Sequence, residues 1–169
     1  EAEPLYVSCL ELRKVALGGN HPNTLTSLNN LAGLYMNQCR YAEAEPLHVS
    51  CLELYKLALG DNHPNTLSSM NSLAELYKSQ GRYAEAEPLY VSCLELRKVA
   101  LGDNHPNTLS SMNNLAGLYE SLGRYAEAEP LYVSCLELCK VALGDNHPST
   151  LIFMNNLALL YKSQGRYAE

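Results

Sequence analysis

The sequence predicts an all-α fold, a solenoid of antiparallel helix pairs. Three observations predict it. The chain repeats itself: His21, His63, His105 and His147 recur every 42 residues, and Glu1, Glu43, Glu85, Glu127 and Glu169 mark the same step. Inside each copy apolar residues return at spacings of three and four, the stripe of an amphipathic helix. Glycine stops also recur twice per period, with Cys39 in place of one of them in the first copy, so one period makes two helices. Self-similarity at a fixed period of roughly 20–50 residues signals a stacked array, in which the core is a line of small interfaces.

Residues 61–102 show one period. Asp61-Asn62-His63-Pro64 is a helix start, because proline suits the first helical position, where its missing N–H costs nothing. Leu67, Met70, Leu73, Ala74 and Tyr77 form the stripe of helix A, about 64–80. Gly81 can take φ > 0 and ends it. Helix B covers about 83–101, with Ala86, Leu89, Tyr90, Cys93, Leu96 (or Leu94) and Ala100 as its stripe. Pro88 lies near the first turn, where few N–H groups have intrahelical partners, so the helix is kept. Glu85 and Glu87 at its start, with Arg97 and Lys98 near its end, suit the helix dipole. Gly102 stops it. The short A–B turn forces the pair antiparallel, and neither stripe is covered by its partner alone. Alanines mark close approach: Ala32, Ala74, Ala116 and Ala158 in A; Ala44, Ala86 and Ala128 in B. Tyr35, Tyr77, Tyr119 and Tyr161 form one aromatic ladder, and Tyr41, Tyr83, Tyr125 and Tyr167 another; both read as A–B packing.

These residues resemble tetratricopeptide repeats. The match is Leu73, Ala74 and Tyr77 in helix A, then Gly81, Tyr83, Ala86 and Tyr90. The 42-residue period, with Leu-Gly-Asp-Asn-His-Pro at 101–106 and Asn-Asn-Leu-Ala at 113–116, is most similar to the extended repeats of kinesin light chains. The resemblance covers essentially the whole chain. It implies a right-handed superhelix with the A helices on a concave side that often holds an extended peptide. Alignment to the repeat pattern puts Asn29, Asn71, Asn113 and Asn155 on that side, with Asn30, Ser72, Asn114 and Asn156 beside them. Gly33, Glu75, Gly117 and Leu159 follow one turn later. Asparagine both donates and accepts, so the row could hold a peptide backbone without reading its sequence. The alternative is that each asparagine bonds the neighbouring repeat or water. The family's carboxylate clamps use Lys and Arg at groove positions that here are Asn, Ser and Gly, which puts a tight grip on a C-terminal carboxylate in doubt.

In chain order, residues 1–169 read as one solenoid. A B helix at 1–18 matches 85–102 letter for letter. A–B pairs follow at 22–60, 64–102 and 106–144, then an A helix at 148–164. Solenoids usually end in polar caps, and none is seen. The expectation is an excerpt of a longer array, or a subunit whose ends neighbours cover. Head-to-tail association would then use Leu5, Tyr6, Ile152 and Phe153. Departures from the repeat are candidate points of specificity: His48 for Tyr90, Cys39 for Gly81, and Tyr55 and Cys139 for Arg13 and Arg97. Ile152 and Leu159 share one face; they form either an apolar anchor or the face that meets a next repeat.

The net charge is −6 and the isoelectric point about 5.4. No stretch is strongly basic, which argues against nucleic acid or an anionic membrane as partner. No apolar run approaches the ~18 residues of a membrane span, and the first residues do not resemble a signal peptide. Cys9, Cys51, Cys93 and Cys135 share one repeat position. Neighbouring copies should stand about 10 Å apart, beyond the ~7 Å a disulfide allows. They read as small buried reduced thiols, as in the cytoplasm. The four Asn-His-Pro histidines lie a repeat apart, too far to share one metal ion, so a turn and capping role is expected. A Cys135, Cys139 and His147 metal site is conceivable, but Cys135 belongs to the core row. There is no phosphate loop, nucleophile elbow or His-Glu-x-x-His. The sequence therefore reads as a non-enzymatic scaffold for a protein or peptide, without cofactor or metal, or as a module that self-associates end to end.

Overall fold

The computed structural model describes residues 1–167, and these are helical apart from short turns. The helices are α1 (Ala2–Leu17), α2 (Pro22–Asn37), α3 (Tyr41–Leu59), α4 (Pro64–Ser79), α5 (Tyr83–Leu101), α6 (Pro106–Ser121), α7 (Tyr125–Leu143) and α8 (Pro148–Ser163). No strand occurs among the described residues. The chain divides into two compact units, Glu1–Leu89 and Tyr90–Glu169.

Each A helix (α2, α4, α6, α8) begins the same way. A histidine in extended backbone caps it, and its Nδ1 accepts the N–H two residues on, at 3.1–3.2 Å. Proline follows at the first helical position. Thr24, Thr66 and Thr150 donate back to the carbonyls of Gly18, Gly60 and Gly144, tying helix start to the preceding turn. Each A helix ends in a left-handed residue. The Arg82 N–H bonds the Tyr77 carbonyl while the Gly81 N–H bonds that of Lys78, which satisfies two terminal acceptors. Gly81, Gly123 and Gly165 hold φ of 70–73°; in the first copy Cys39 does so at 58°.

Pro46, Pro88 and Pro130 stand at the sixth position of their helices, one turn further in than the first-turn expectation. The helices run on regardless. Each proline removes one intrahelical donor only, because the N–H groups before it still bond normally.

The first unit packs α2 between α1 and α3, and α4 against α3. Its core joins Leu10, Leu25, Leu28, Leu31, Cys51 and Tyr55. The second unit packs α6 on α7 and α7 on α8. There Ala116, Ala128, Tyr132 and Leu160 meet. Alanines at the pair contacts, Ala32 with Ala44 and Ala116 with Ala128, are fully buried, which lets the backbones approach.

Candidate binding surface

In the first unit two shallow cavities lie along the seam between α2 and α4. One, of about 170 Å³, is lined by Asn29, Gly33 and Met36 of α2, His48 of α3, and Asn71, Ser72 and Glu75 of α4. The other, of about 150 Å³, is lined by Thr26, Asn29, Tyr55, Asn65, Ser68 and Ser69. Asn29 belongs to both. The lining residues 26, 29, 33 and 36 form one face of α2, as helical spacing dictates. The structure thus brings Asn29 and Asn71 of the polar row together; Asn30 is exposed and lines neither cavity.

The second unit uses the row differently. Asn156 Nδ2 donates to Asn113 Oδ1 at 2.8 Å, bridging α6 and α8. These two asparagines follow the alternative reading, in which the row ties one repeat to the next. Asn114 is half-buried, while Asn155 and Leu159 are exposed.

Two seam residues depart from the repeat. His48 replaces a tyrosine. In α7 the corresponding Tyr132 hydroxyl donates to Glu120 Oε2 at 3.0 Å, and burial, then that carboxylate, pushes its pKa up. At Glu120's position the first unit has Met36, so His48 turns to Asn29 instead, with Nδ1 3.1 Å from Oδ1. Burial lowers its pKa to about 4. Tyr55 replaces an arginine. Its hydroxyl donates to the Pro22 carbonyl and meets Thr26 Oγ1, both at 3.1 Å.

Sequence reasoning missed one recurrent feature. The arginine after each A-helix turn lies over the tyrosine five residues before it, 4.2–4.3 Å from guanidinium carbon to ring centroid, at Arg40, Arg82, Arg124 and Arg166. Arg40 also pairs with Glu3 and Glu43, and Arg82 with Glu45 and Glu85. The Tyr-x-x-x-x-Arg spacing was the available signal, but only the packing of one B helix against the next A helix supplies the second glutamate.

Of the residues expected to make end-to-end contact, Leu5 is 71% exposed, Ile152 57% and Tyr6 36%. Phe153 does not belong with them. It is buried, lining a small cavity with Leu109, Cys139 and Leu143, because its position on α8 faces the helix pair beneath.

Cys51, Cys93 and Cys135 are buried free thiols, and Cys9 is half-buried. Burial pushes Cys51 up to about 11 and Cys135 up to about 12. The four capping histidines spend Nδ1 on their own helix starts. No group of three or more His, Cys, Asp or Glu among the described residues could hold a metal ion. No described helix is long and apolar enough to cross a membrane.

Helical hairpins repeated at a fixed step of 42 residues define an α-solenoid repeat protein, a class built on surfaces rather than on one enclosed centre. The chain belongs to the tetratricopeptide repeat family, which matches residues 26–98, 73–140 and 112–169. Among solved structures it resembles the nearly identical TPR-like repeats of a protein assigned as a kinesin light chain from Podosopora anserina. A single-substitution form of that protein superposes with a TM-score of 0.84 at 29% identity, covering 98% of this chain and 78% of that one. A second structure of the same protein gives 0.82 at 28%, covering 98% and 79%. BtubC (BKLC) from P. vanneervenii shares the fold, with a TM-score of 0.83 at 24% identity over 98% of this chain and 66% of that one. No curated protein matches the sequence. Tetratricopeptide repeats are generally protein-interaction scaffolds, and scaffolds of this kind are typically not enzymes.

Proposed function

We propose that the chain is a non-enzymatic scaffold whose α2–α4 seam holds an extended peptide segment of a protein partner in a reducing compartment. The observation that carries this is the pair of adjoining cavities that share Asn29, one of them reaching Asn71. Both asparagines are half-buried, and with Oδ1 of Asn29 held by His48 its Nδ2 is the group aimed at a peptide C=O. The buried thiols, with pKa values raised by burial, suit surroundings that keep cysteine reduced. A peptide array probed with the wild-type chain and with Asn29→Ala plus Asn71→Ala tests the reading. Binding that survives both substitutions undiminished would sink it.

A second reading rests on exposure. Leu151 and Met154 of α8 are 50% and 41% exposed, whereas Leu109 and Met112 at the same repeat positions of α6 are 3% and 5%. In α6 that face is covered by α7, whose sequence over 127–138 is the same as 1–12. The proposed occupant of the α8 face is therefore α1 of a second copy, with Leu5 and Tyr6 meeting Leu151 and Met154; Ile152 lies outside this contact, because its α6 counterpart Ser110 stays exposed. Light scattering should show mass rising with concentration in the wild-type chain and not in Leu151→Glu. A constant monomer mass at high concentration would exclude this reading.

A further inference from the structure

One buried side-chain atom of the α2–α4 seam stands without a hydrogen-bond partner among the described residues: His48 Nε2. Its residue lines the cavity that also holds Asn29, Asn71 and Glu75. Native proteins rarely leave a buried polar atom unpaired, so it points to a group that comes from outside.

His48 is 1% exposed. Asn29 Oδ1 can only accept, so the ring proton sits on Nδ1 and donates to it. Nε2 then carries a bare lone pair that requires a donor. The cavity around it exists because the copy departs twice from its neighbours. An imidazole replaces a longer phenol, and Met36 stands where α6 has the Glu120 that receives the phenol. The same cavity is lined by the Glu75 carboxylate, with Asn71 and Ser72 beside it.

We infer that this cavity is a pocket for a lysine or arginine side chain of the bound peptide, whose N–H donates to His48 Nε2 while its charge faces Glu75. The inference rests on the peptide-groove reading and assigns its chemistry. An acidic side chain offers Nε2 no donor, and an asparagine or glutamine amide, which does, brings no charge to Glu75. An aliphatic one leaves Nε2 as unsatisfied as before. A neutral hydroxyl would serve Nε2 but gain nothing from the Glu75 charge. A cation gains from both, and a cation taken out of water needs such partners. Met36 offers an apolar wall for the methylene stem. The net charge of −6 favours the approach of a basic segment.

The test uses short acetylated and amidated Gly/Ser peptides with Lys, Arg, norleucine or Glu at the centre, titrated into the ¹⁵N-labelled chain. The readouts are the His48 imidazole nitrogens and the amides of α2 and α4. The Lys and Arg peptides should move Nε2 to the shift of a hydrogen-bonded nitrogen; the norleucine and Glu peptides should not. Glu75→Gln should weaken the Lys peptide roughly fivefold. His48→Tyr, which installs the residue found in the other copies, should erase the preference for Lys and Arg. If all four peptides perturb α2 and α4 alike and Nε2 stays put, the pocket assignment is overturned and the groove survives. If Glu75→Gln changes nothing, the choice of a cation is overturned. If no peptide perturbs α2 or α4, pocket and groove fall together.

Discussion

Arg97 Nη1 donates to Ser111 Oγ at 2.8 Å and to the Asn107 carbonyl at 2.9 Å, with the arginine 7% exposed. Arg13 and Ser27 repeat the arrangement between α1 and α2. Where α7 meets α8, both partners change at once: Cys139 takes the arginine's place and Phe153 the serine's, and the two line one cavity. A buried guanidinium needs acceptors, whereas a phenyl ring needs an apolar neighbour. Each pair is consistent in itself and would fail if mixed.

That consistency can be measured as a coupling energy. Arg97→Cys takes the guanidinium donor from the buried Ser111 hydroxyl and leaves a cavity where the arginine stem packed, and should cost about 1–3 kcal/mol. Ser111→Phe alone strands the guanidinium and should cost a similar amount. The double substitution copies the natural Cys–Phe pair and should recover more than about 1 kcal/mol relative to additivity. Urea unfolding of the four proteins gives the cycle. Additive losses would show that the two positions do not read each other.

Cys39 holds φ at 58° at the turn position that glycine occupies in the other copies. A side chain in the left-handed region carries a conformational cost, and the glycine counterparts have open space around an added Cβ, so the cost is one of backbone alone. Cys39→Gly should therefore stabilise the chain by about 0.5–1 kcal/mol, and Gly81→Ala should destabilise it by about 1 kcal/mol. Thermal melts of both variants against the wild type decide the matter. The exposed Cys39 should also react with a thiol reagent well before Cys51, Cys93 and Cys135.

The hairpins were legible because their signals are local. Proline after histidine, a stripe at three and four, and a glycine stop each act within one helix, and they recur often enough to remove doubt about period. The α2–α4 cavities were not legible. His48 and Tyr55 stood out as departures from the repeat, but their effect depends on which residue of α2 each meets. Met36 and Thr26 lie 12 and 29 residues away from them respectively. The polar row was legible as a set of positions but not as a set of roles. Asn113 is tied to Asn156, whereas Asn29 faces His48, because the first unit has Ser72 at the position of Asn156 and His48 at that of Tyr132.

His48 makes stability depend on pH in a definite direction. Burial lowers its pKa from 6.5 to about 4, and the charged group lining the same cavity is Glu75. Below about pH 6.5 the unfolded chain takes up a proton that the folded chain refuses. Stability is full above that value and falls as pH drops toward 4, by about 3 kcal/mol at most. His48→Tyr should remove this slope between pH 6.5 and 4. It should leave a later loss intact, because Glu3, Glu43, Glu85 and Glu127 are held below the usual carboxylate range by their arginine partners. Those carboxylates stabilise above their unfolded pKa and cease to do so as pH falls through the folded one. Denaturant midpoints of the two proteins across this range should diverge between pH 6.5 and 4; parallel curves would count against a buried neutral imidazole.

Arg82 joins α3, α4 and the first turn of α5 with one side chain. Its Nη1 meets Glu45 of α3 at 2.6 Å, its Nε and Nη2 fork onto Glu85 of α5 at 2.7 and 2.6 Å, and its plane lies over Tyr77 of α4. The four nitrogen–oxygen and ring contacts need a flat, forked cation. A lysine ammonium keeps the charge but cannot lie flat on the ring while serving two carboxylates. Arg82→Lys should therefore lower Tm by more than half of the loss seen in Arg82→Met, which keeps only the stem. If charge alone mattered, lysine would restore most of the melting temperature. The carboxylate part should shrink in high salt, while the stacking on Tyr77 should persist. Melts of the three proteins at low and high ionic strength separate these contributions. A lysine variant that melts with the wild type in low salt would overturn the claim that geometry, rather than charge, joins α3, α4 and α5 at this turn.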